Sequence, residues 1–145
     1  MIRRGTVRDI EGMLALGKRA HARTGTYPPI DDLSCKRMAA MAVQSKLYIV
    51  LVDDCNGEIR GMMFGTTDRL AYSLERYATD VLFISERAGA GIQMLREFVR
   101  WARTQKVYEI TCGVTSGEDS TRMDTLYRRI GFTKIGGLFQ MKGSL

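Results

Sequence analysis

The sequence has little histidine, cysteine or proline, and it has no long apolar run. His21 is the sole histidine, so a histidine-rich metal site has nothing to be built from. The three cysteines, at positions 35, 55 and 112, are odd in number, widely spaced and without a Cys-x-x-Cys pair. That pattern argues against a disulfide framework or a zinc centre. Cys112 reads as a packed thiol in an apolar strand and Cys55 as incidental beside a polar turn; no histidine is placed to activate either as a nucleophile. The longest apolar run, Leu47 to Val52, suits a buried strand and is far short of a membrane span. No signal-like apolar stretch follows the basic start, Met1-Ile2-Arg3-Arg4-Gly5-Thr6, so the chain is expected in the cytosol and away from membranes.

What is present fits one globular domain spanning 1–145. The chain has 145 residues, of which 45% are apolar and 26% charged, enough for a single core and too few for two ordinary ones. The net charge of +6 suits nucleic acid, an acidic protein surface or a small polyanion. The basic residues are dispersed, and no strip of alternating basic and aromatic residues marks a nucleic-acid track, which makes nucleic acid a poor expectation.

The periodicity predicts a mixed α/β order, β-α-α-β-β-β-α-β-α-β. Residues 2–6 can form a strand, and Thr6 or Asp9 can cap a first helix with Ile10, Met13, Leu14, Gly17 and His21 on one face. Residues 24–29, with both prolines, break that helix, and a second is expected from Asp32 to Gln44 with Leu33, Met38, Met41 and Ala42 inward. His21, at the end of the first helix, reads as a favourable partner of the helix dipole or as part of a pocket wall. Leu47 to Val52 and Ile59 to Gly65 flank Asn56-Gly57 and predict a hairpin. A polar loop over Thr66 to Glu75 precedes a strand from Tyr77 to Ile84. After a helix from Gly89 to Lys106 come a strand over Val107 to Val114, a loop over Thr115 to Ser120, a further helix, and a last strand from Phe132 to Met141.

The most telling stretch is Ser85-Glu86-Arg87-Ala88-Gly89-Ala90-Gly91, between a strand and the best amphipathic helix. Two glycines let a ligand approach the backbone, and the first N–H groups of the helix point outward there, which suits phosphate. The stretch lacks the third glycine of a dinucleotide fingerprint and the Gly-Lys-Ser/Thr of a Walker loop.

About forty residues on stands Ser120-x-x-Met123-x-x-Leu126-Tyr127-x-x-Ile130-Gly131-Phe132. Together the two stretches resemble the GCN5-related N-acetyltransferases. Glu86-x-x-Gly89-Ala90-Gly91 is similar to the family's Gln/Arg-x-x-Gly-x-Gly/Ala loop except at its first position, and Leu126-Tyr127 with Gly131-Phe132 matches the second half of its Asn-x-x-Ala-x-x-Leu-Tyr-x-x-x-Gly-Phe helix. Residues 2–6 and Asp9 look like the family's first strand and helix start, so the likeness extends along nearly the whole chain.

The resemblance implies a mostly antiparallel sheet flanked by helices, with its last strands splayed around acetyl-CoA, itself a polyanion. It implies transfer of acetyl directly to a primary amine, with no covalent enzyme intermediate and no metal. The diphosphate would lie on the N–H groups of Arg87, Ala88, Gly89, Ala90 and Gly91, and Arg87 would add positive charge. Glu86 would repel phosphate and is expected to turn to solvent. Backbone amides about Phe83 and Ile84 would hold the pantetheine arm and polarise the thioester carbonyl. Tyr127 would protonate the departing thiolate, an unperturbed phenol titrating near pH ~10. Ser120, in the family's asparagine position, would cap the helix or contact the cofactor. Asp80 and Glu75 are alternatives for the base that accepts the amine's proton.

Two other readings fit the same residues: a non-catalytic module of this fold that binds acyl-CoA, and a basic nucleic-acid-binding protein using Arg96, Arg100 and Arg103. The acceptor amine, of a small molecule or a protein, is open, and a homodimer through an edge strand or a helix face is compatible with the sequence.

Overall fold

The computed structural model describes residues 1–24, 28–114 and 120–143. Residues 25–27 of the expected helix break and 115–119 of the expected loop lie outside the described residues, as does the side chain of Ser120. The chain divides into two compact units, Met1–Gly113 and Val114–Leu145.

The first unit runs β1 (Ile2–Arg4), a 3-10 turn (Val7–Asp9), α1 (Ile10–Thr24), α2 (Asp32–Gln44), β2 (Tyr48–Cys55), β3 (Glu58–Arg69), β4 (Arg76–Ser85), α3 (Ala90–Thr104) and β5 (Glu109–Thr111). The strands form one sheet in the order β1-β2-β3-β4-β5, antiparallel except for the parallel β4–β5 pair. The β2–β3 hairpin turns at Asn56 (φ 55°) and Gly57 (φ 90°), the two positive φ values that a tight primed turn demands and that Asn-Gly adopts cheaply.

Both faces of the sheet are covered. On one, Met13 and Leu16 of α1 and Ala39 and Ala42 of α2 pack with Val50, Val52, Ile59, Met62 and Phe64. On the other, α3 presses so closely that a Cβ at Gly65 would stand 2.4 Å from the Phe98 ring, and one at Gly61 would stand 2.9 Å from Met94. Those two glycines exist to let α3 seat.

Several boundaries differ from the sequence reading. The strand expected to end at Gly65 continues to Arg69, because Thr66 and Thr67 pair with Thr79 and Ala78 across a ladder that extends into the expected loop. In α2 the small Ala39 and Ala42 face the core and let the helix approach the sheet, while Leu33 and Met41, expected inside, are exposed. The strand expected over Val107 to Val114 shortens to Glu109–Thr111.

The second unit holds α4 (Ser120–Ile130) followed by residues without regular structure through 143. The expected closing strand from Phe132 to Met141 is not formed. Gly136 and Gly137 sit in its middle, and consecutive glycines lose the most backbone entropy on being extended. The apolar Ile135, Leu138, Phe139 and Met141 are exposed. No helix among the described residues is long and apolar enough to cross a membrane.

The entry to α1 is held by charge. The Arg3 guanidinium donates to both Asp9 oxygens, at 2.9 and 2.8 Å, and Asp9 also accepts from the Thr6 N–H and hydroxyl. These donors, the Arg3 bonds first, hold the Asp9 carboxyl down at about 2. A depressed carboxyl stabilises the fold above its unfolded value near pH ~4 and loses that contribution as pH falls toward 2. In acid titrations followed by circular dichroism, Asp9→Asn is expected to lower stability at neutral pH by on the order of 1 kcal/mol and to flatten its dependence between pH 4 and 2.

Candidate functional site

The site is organised by an irregularity in β4. The β3–β4 register passes from Phe64 opposite Leu82 to Gly65 opposite Asp80, so Val81 is an extra residue in the ladder. Alternate residues of an antiparallel strand bond to the same neighbour, and the Glu86 N–H donates to the Arg60 carbonyl of β3. Beyond the bulge, residues 82, 84 and 86 therefore face β3, and Phe83 and Ser85 direct their backbone groups the other way. Among the described residues that other side is paired only from Tyr77 to Thr79, with β5. The alternation separates Phe83, turned to that side, from Ile84, whose backbone groups serve the β3 ladder.

Where β5 leaves β4 stands Asp80. Its carboxylate accepts from the Gly113 N–H at 3.1 Å, and burial pushes its pKa up against that bond. Burial, with the Asp80 charge nearby, likewise pushes the half-buried Cys112 thiol well up, so Cys112 is no ready thiolate. Glu75 lies in the β3–β4 connection, where its backbone pairs with Leu70, at the far end of β4 from the glycine turn.

At the C-terminal end of β4 the chain turns through Gly89, whose φ of 79° is left-handed, into α3. A Cβ at Gly89 would meet nothing within 4 Å, and one at Gly91 would only reach ordinary contact with Ser85 and Phe83. The glycine at 89 is thus required by its backbone angle and leaves open space above the turn. Ala90 begins the helix and is wholly buried.

The side chains flanking this turn are both committed elsewhere. Arg87 donates from Nε and Nη2 to the two Asp53 oxygens at 2.7 and 2.8 Å, and Asp53 is fully buried on β2. Arg87 holds the Asp53 carboxyl below its usual range, and Asp53 raises the guanidinium in turn. This corrects the expectation that the Arg87 charge is offered to a phosphate. Glu86 does not turn to solvent either. It is 12% exposed, accepts from Arg19 and Arg23 of α1 at 3.1 Å, and lies 3.5 Å from Arg60 Nε. Those guanidiniums, Arg19 foremost, hold its carboxyl below the ordinary range. The sequence had no signal for these partners, since Asp53 is 34 positions from Arg87 and Arg19 is 67 from Glu86.

In the second unit, Tyr127 opens the last turn of α4. Gly131, at φ 110°, donates to the Arg128 carbonyl and Phe132 donates to the Tyr127 carbonyl, a paired closure of the helix end. The Tyr127 and Phe132 rings pack edge to face at 5.6 Å. Ser120 opens the same helix.

Known structures share this architecture. A protein described as a predicted acetyltransferase from Clostridium acetobutylicum, solved with acetyl-CoA, superposes with a TM-score of 0.76 at 16% identity over 98% of this chain and 95% of its own. A ribosomal-protein-alanine N-acetyltransferase from Brucella melitensis gives 0.77 at 21% identity over 94% and 86%. The fold is that of the GCN5-related N-acetyltransferases. A transcriptional regulator from Bacillus halodurans is similar to the same degree, with a TM-score of 0.72 at 22% identity over 99% of both chains. No protein-family profile matches the sequence, and no curated protein does.

Within this acetyltransferase fold, the Arg87–Asp53 pair ties the glycine turn to β2. Arg87→Gln leaves a buried carboxylate without its main partner and is expected to lower the thermal midpoint by about 5 °C or more. The double variant with Asp53→Asn recovers part of that loss. Calorimetric melting of the single and double variants checks both outcomes.

Proposed function

We propose that the protein is an acetyl-CoA-dependent N-acetyltransferase acting on a primary amine. One observation carries the reading: a left-handed glycine turn with open space at a helix N-terminus follows a bulged strand whose backbone groups at Phe83 and Ser85 face an edge unpaired among the described residues. That combination fits the coenzyme, a diphosphate joined to an amide-bearing arm. The acetyltransferase fold and a neighbour solved with acetyl-CoA support the same reading.

Acetyl-CoA supplies an acyl thioester, a carbonyl open to attack by an amine. The N–H groups of Gly89 to Gly91, with the dipole of α3 behind them, hold the diphosphate. The outward backbone groups of Phe83 and Ser85 pair with the amides of the arm, and an amide at the bulge polarises the carbonyl. The Asp80 carboxylate accepts the proton that the amine gives up, directly or through water. A base with a raised pKa holds that proton better than an ordinary carboxylate. The Tyr127 phenol gives its proton to the departing sulfur, and the two groups exchange protons with solvent to reset.

Calorimetric titration with acetyl-CoA tests the cofactor site first. Wild type is expected to bind, and Gly89→Asp, which sets a carboxylate and a strained backbone in the turn, is expected to abolish binding. No binding by wild type would remove the enzymatic reading.

With an amine panel, Tyr127→Phe and Asp80→Asn are each expected to cut kcat by about 100-fold while leaving acetyl-CoA affinity within about threefold. Binding without turnover on any amine would favour a non-catalytic acyl-CoA-binding module. The committed side chains of Glu86 and Arg87, and the likeness to a transcriptional regulator, keep that second reading in play.

A further inference from the structure

The fork where β5 parts from β4 is closed by main-chain and thiol groups rather than by charge. The parallel pairing ends at Thr79 and Thr111, and the next residue of each strand, Asp80 and Cys112, stand beside one another. The Gly113 N–H donates to Asp80 Oδ1 at 3.1 Å, so the chain just past β5 lays its backbone on the carboxylate. The Cys112 sulfur is near enough to feel the Asp80 charge, which disfavours its thiolate, and the Asp80 N–H, which favours it. Burial outweighs both and keeps the thiol protonated at neutral pH. Across β3, Asp80 faces Gly65, whose missing side chain is replaced by Phe98 of α3. Among the described residues no charged side chain contributes to the raised pKa of Asp80: burial sets it, against the bonds from Gly113 and from its own N–H. Asp80 is half-buried, and its Oδ2 accepts no hydrogen bond from another described residue.

We propose that Cys112 is a positioning residue for the base of the transfer: while the Gly113 N–H holds Oδ1, the uncharged thiol walls the flank of Asp80 against water and leaves Oδ2 as the atom that meets the amine. The amine's proton passes to Oδ2 as its nitrogen attacks the thioester carbonyl, and no bond to the Cys112 sulfur forms or breaks. A thiol suits this place because it packs as a small hydrophobe and donates only weakly. A serine hydroxyl is a stronger donor and would favour the charged carboxylate, whereas valine, of similar bulk, donates nothing.

This inference rests on the acetyltransferase reading with Asp80 as base, and its test has one arm that needs no turnover. The Asp80 carboxyl is titrated by carbon-13 NMR in wild type, Cys112→Ser and Cys112→Val, with Asp80→Asn assigning the resonance. Wild type is expected to titrate above the ordinary carboxylate value near pH ~3.9. Cys112→Ser is expected to lower that midpoint by about 0.5 pH unit or more, and Cys112→Val to hold or raise it. In the second arm kcat is followed against pH on the amine of the panel that turns over fastest. Its acid limb is expected to move down in the serine variant, whose carboxylate stays charged to lower pH, and not in the valine variant, with acetyl-CoA affinity within about threefold in both. A midpoint unmoved by serine would overturn the proposal. So would a loss of kcat equal at every pH, which assigns Cys112 to packing alone. A midpoint that shifts while the acid limb stays put would remove Asp80 as base, and the positioning role with it, and leave acetyl transfer standing. Turnover on no amine would defeat the acetyltransferase reading and this inference together.

Discussion

The glycine turn depends on two ion pairs that pull its first two residues in opposite directions. Glu86 is drawn to the arginines of α1 on one face of the sheet. Arg87 is drawn to Asp53, whose Cβ lies 3.1 Å from the Cβ position of Gly61, on the face where Met94 of α3 packs. With both side chains anchored, the segment that follows, Ala88 to Gly91, carries no side chain larger than a methyl group. A loop built from glycine would ordinarily be ordered at a heavy entropic cost, and these pairs offset it before any ligand arrives. The Arg87–Asp53 pair is the more consequential, because a fully buried carboxylate has no water to fall back on.

The turn is only half of the arrangement. The bulge at Val81 reverses which residues of β4 face β3, and it does so two residues beyond the last pairing with β5, at Thr79. Without the extra residue, the even-numbered groups past Asp80 would face the other side instead. A single inserted residue therefore selects the backbone groups that a ligand meets. Gly65, opposite Asp80 at the shift, has no side chain because Phe98 fills its place, so the packing of α3 and the position of the bulge are fixed together.

Local signals carried the sequence reading as far as they reach. Asn56-Gly57, the amphipathic helix after Gly89 and the alternation of strands with helices were legible because each is written within a few residues. The bulge was not, since nothing in Asp80-Val81-Leu82 marks an extra residue; only the partner strand defines it. The partners of Glu86 and Arg87 were hidden for the same reason, as pairing across dozens of residues has no period to detect. In α2 the reading placed Ala42 and Met38 inward as found, but it also turned Leu33 and Met41 inward and passed over Ala39, the second small residue that lets the helix approach the sheet. The closing strand expected from Phe132 to Met141 was drawn with too little weight given to the Gly136-Gly137 break.

The motif around Tyr127 shows how much of a signature can be fold grammar. Gly131 is needed because its φ is left-handed, and Phe132 because its N–H closes the helix on the Tyr127 carbonyl while its ring packs on the tyrosine ring. Each of these requirements would hold in a protein with no activity at all. A phenylalanine at position 127 would meet them equally well, for neither the carbonyl nor the ring face involves the hydroxyl. The phenol oxygen is the part of the motif that closing the helix does not account for, so it is there, and not in the glycine or the phenylalanine, that a case for chemistry has to be made.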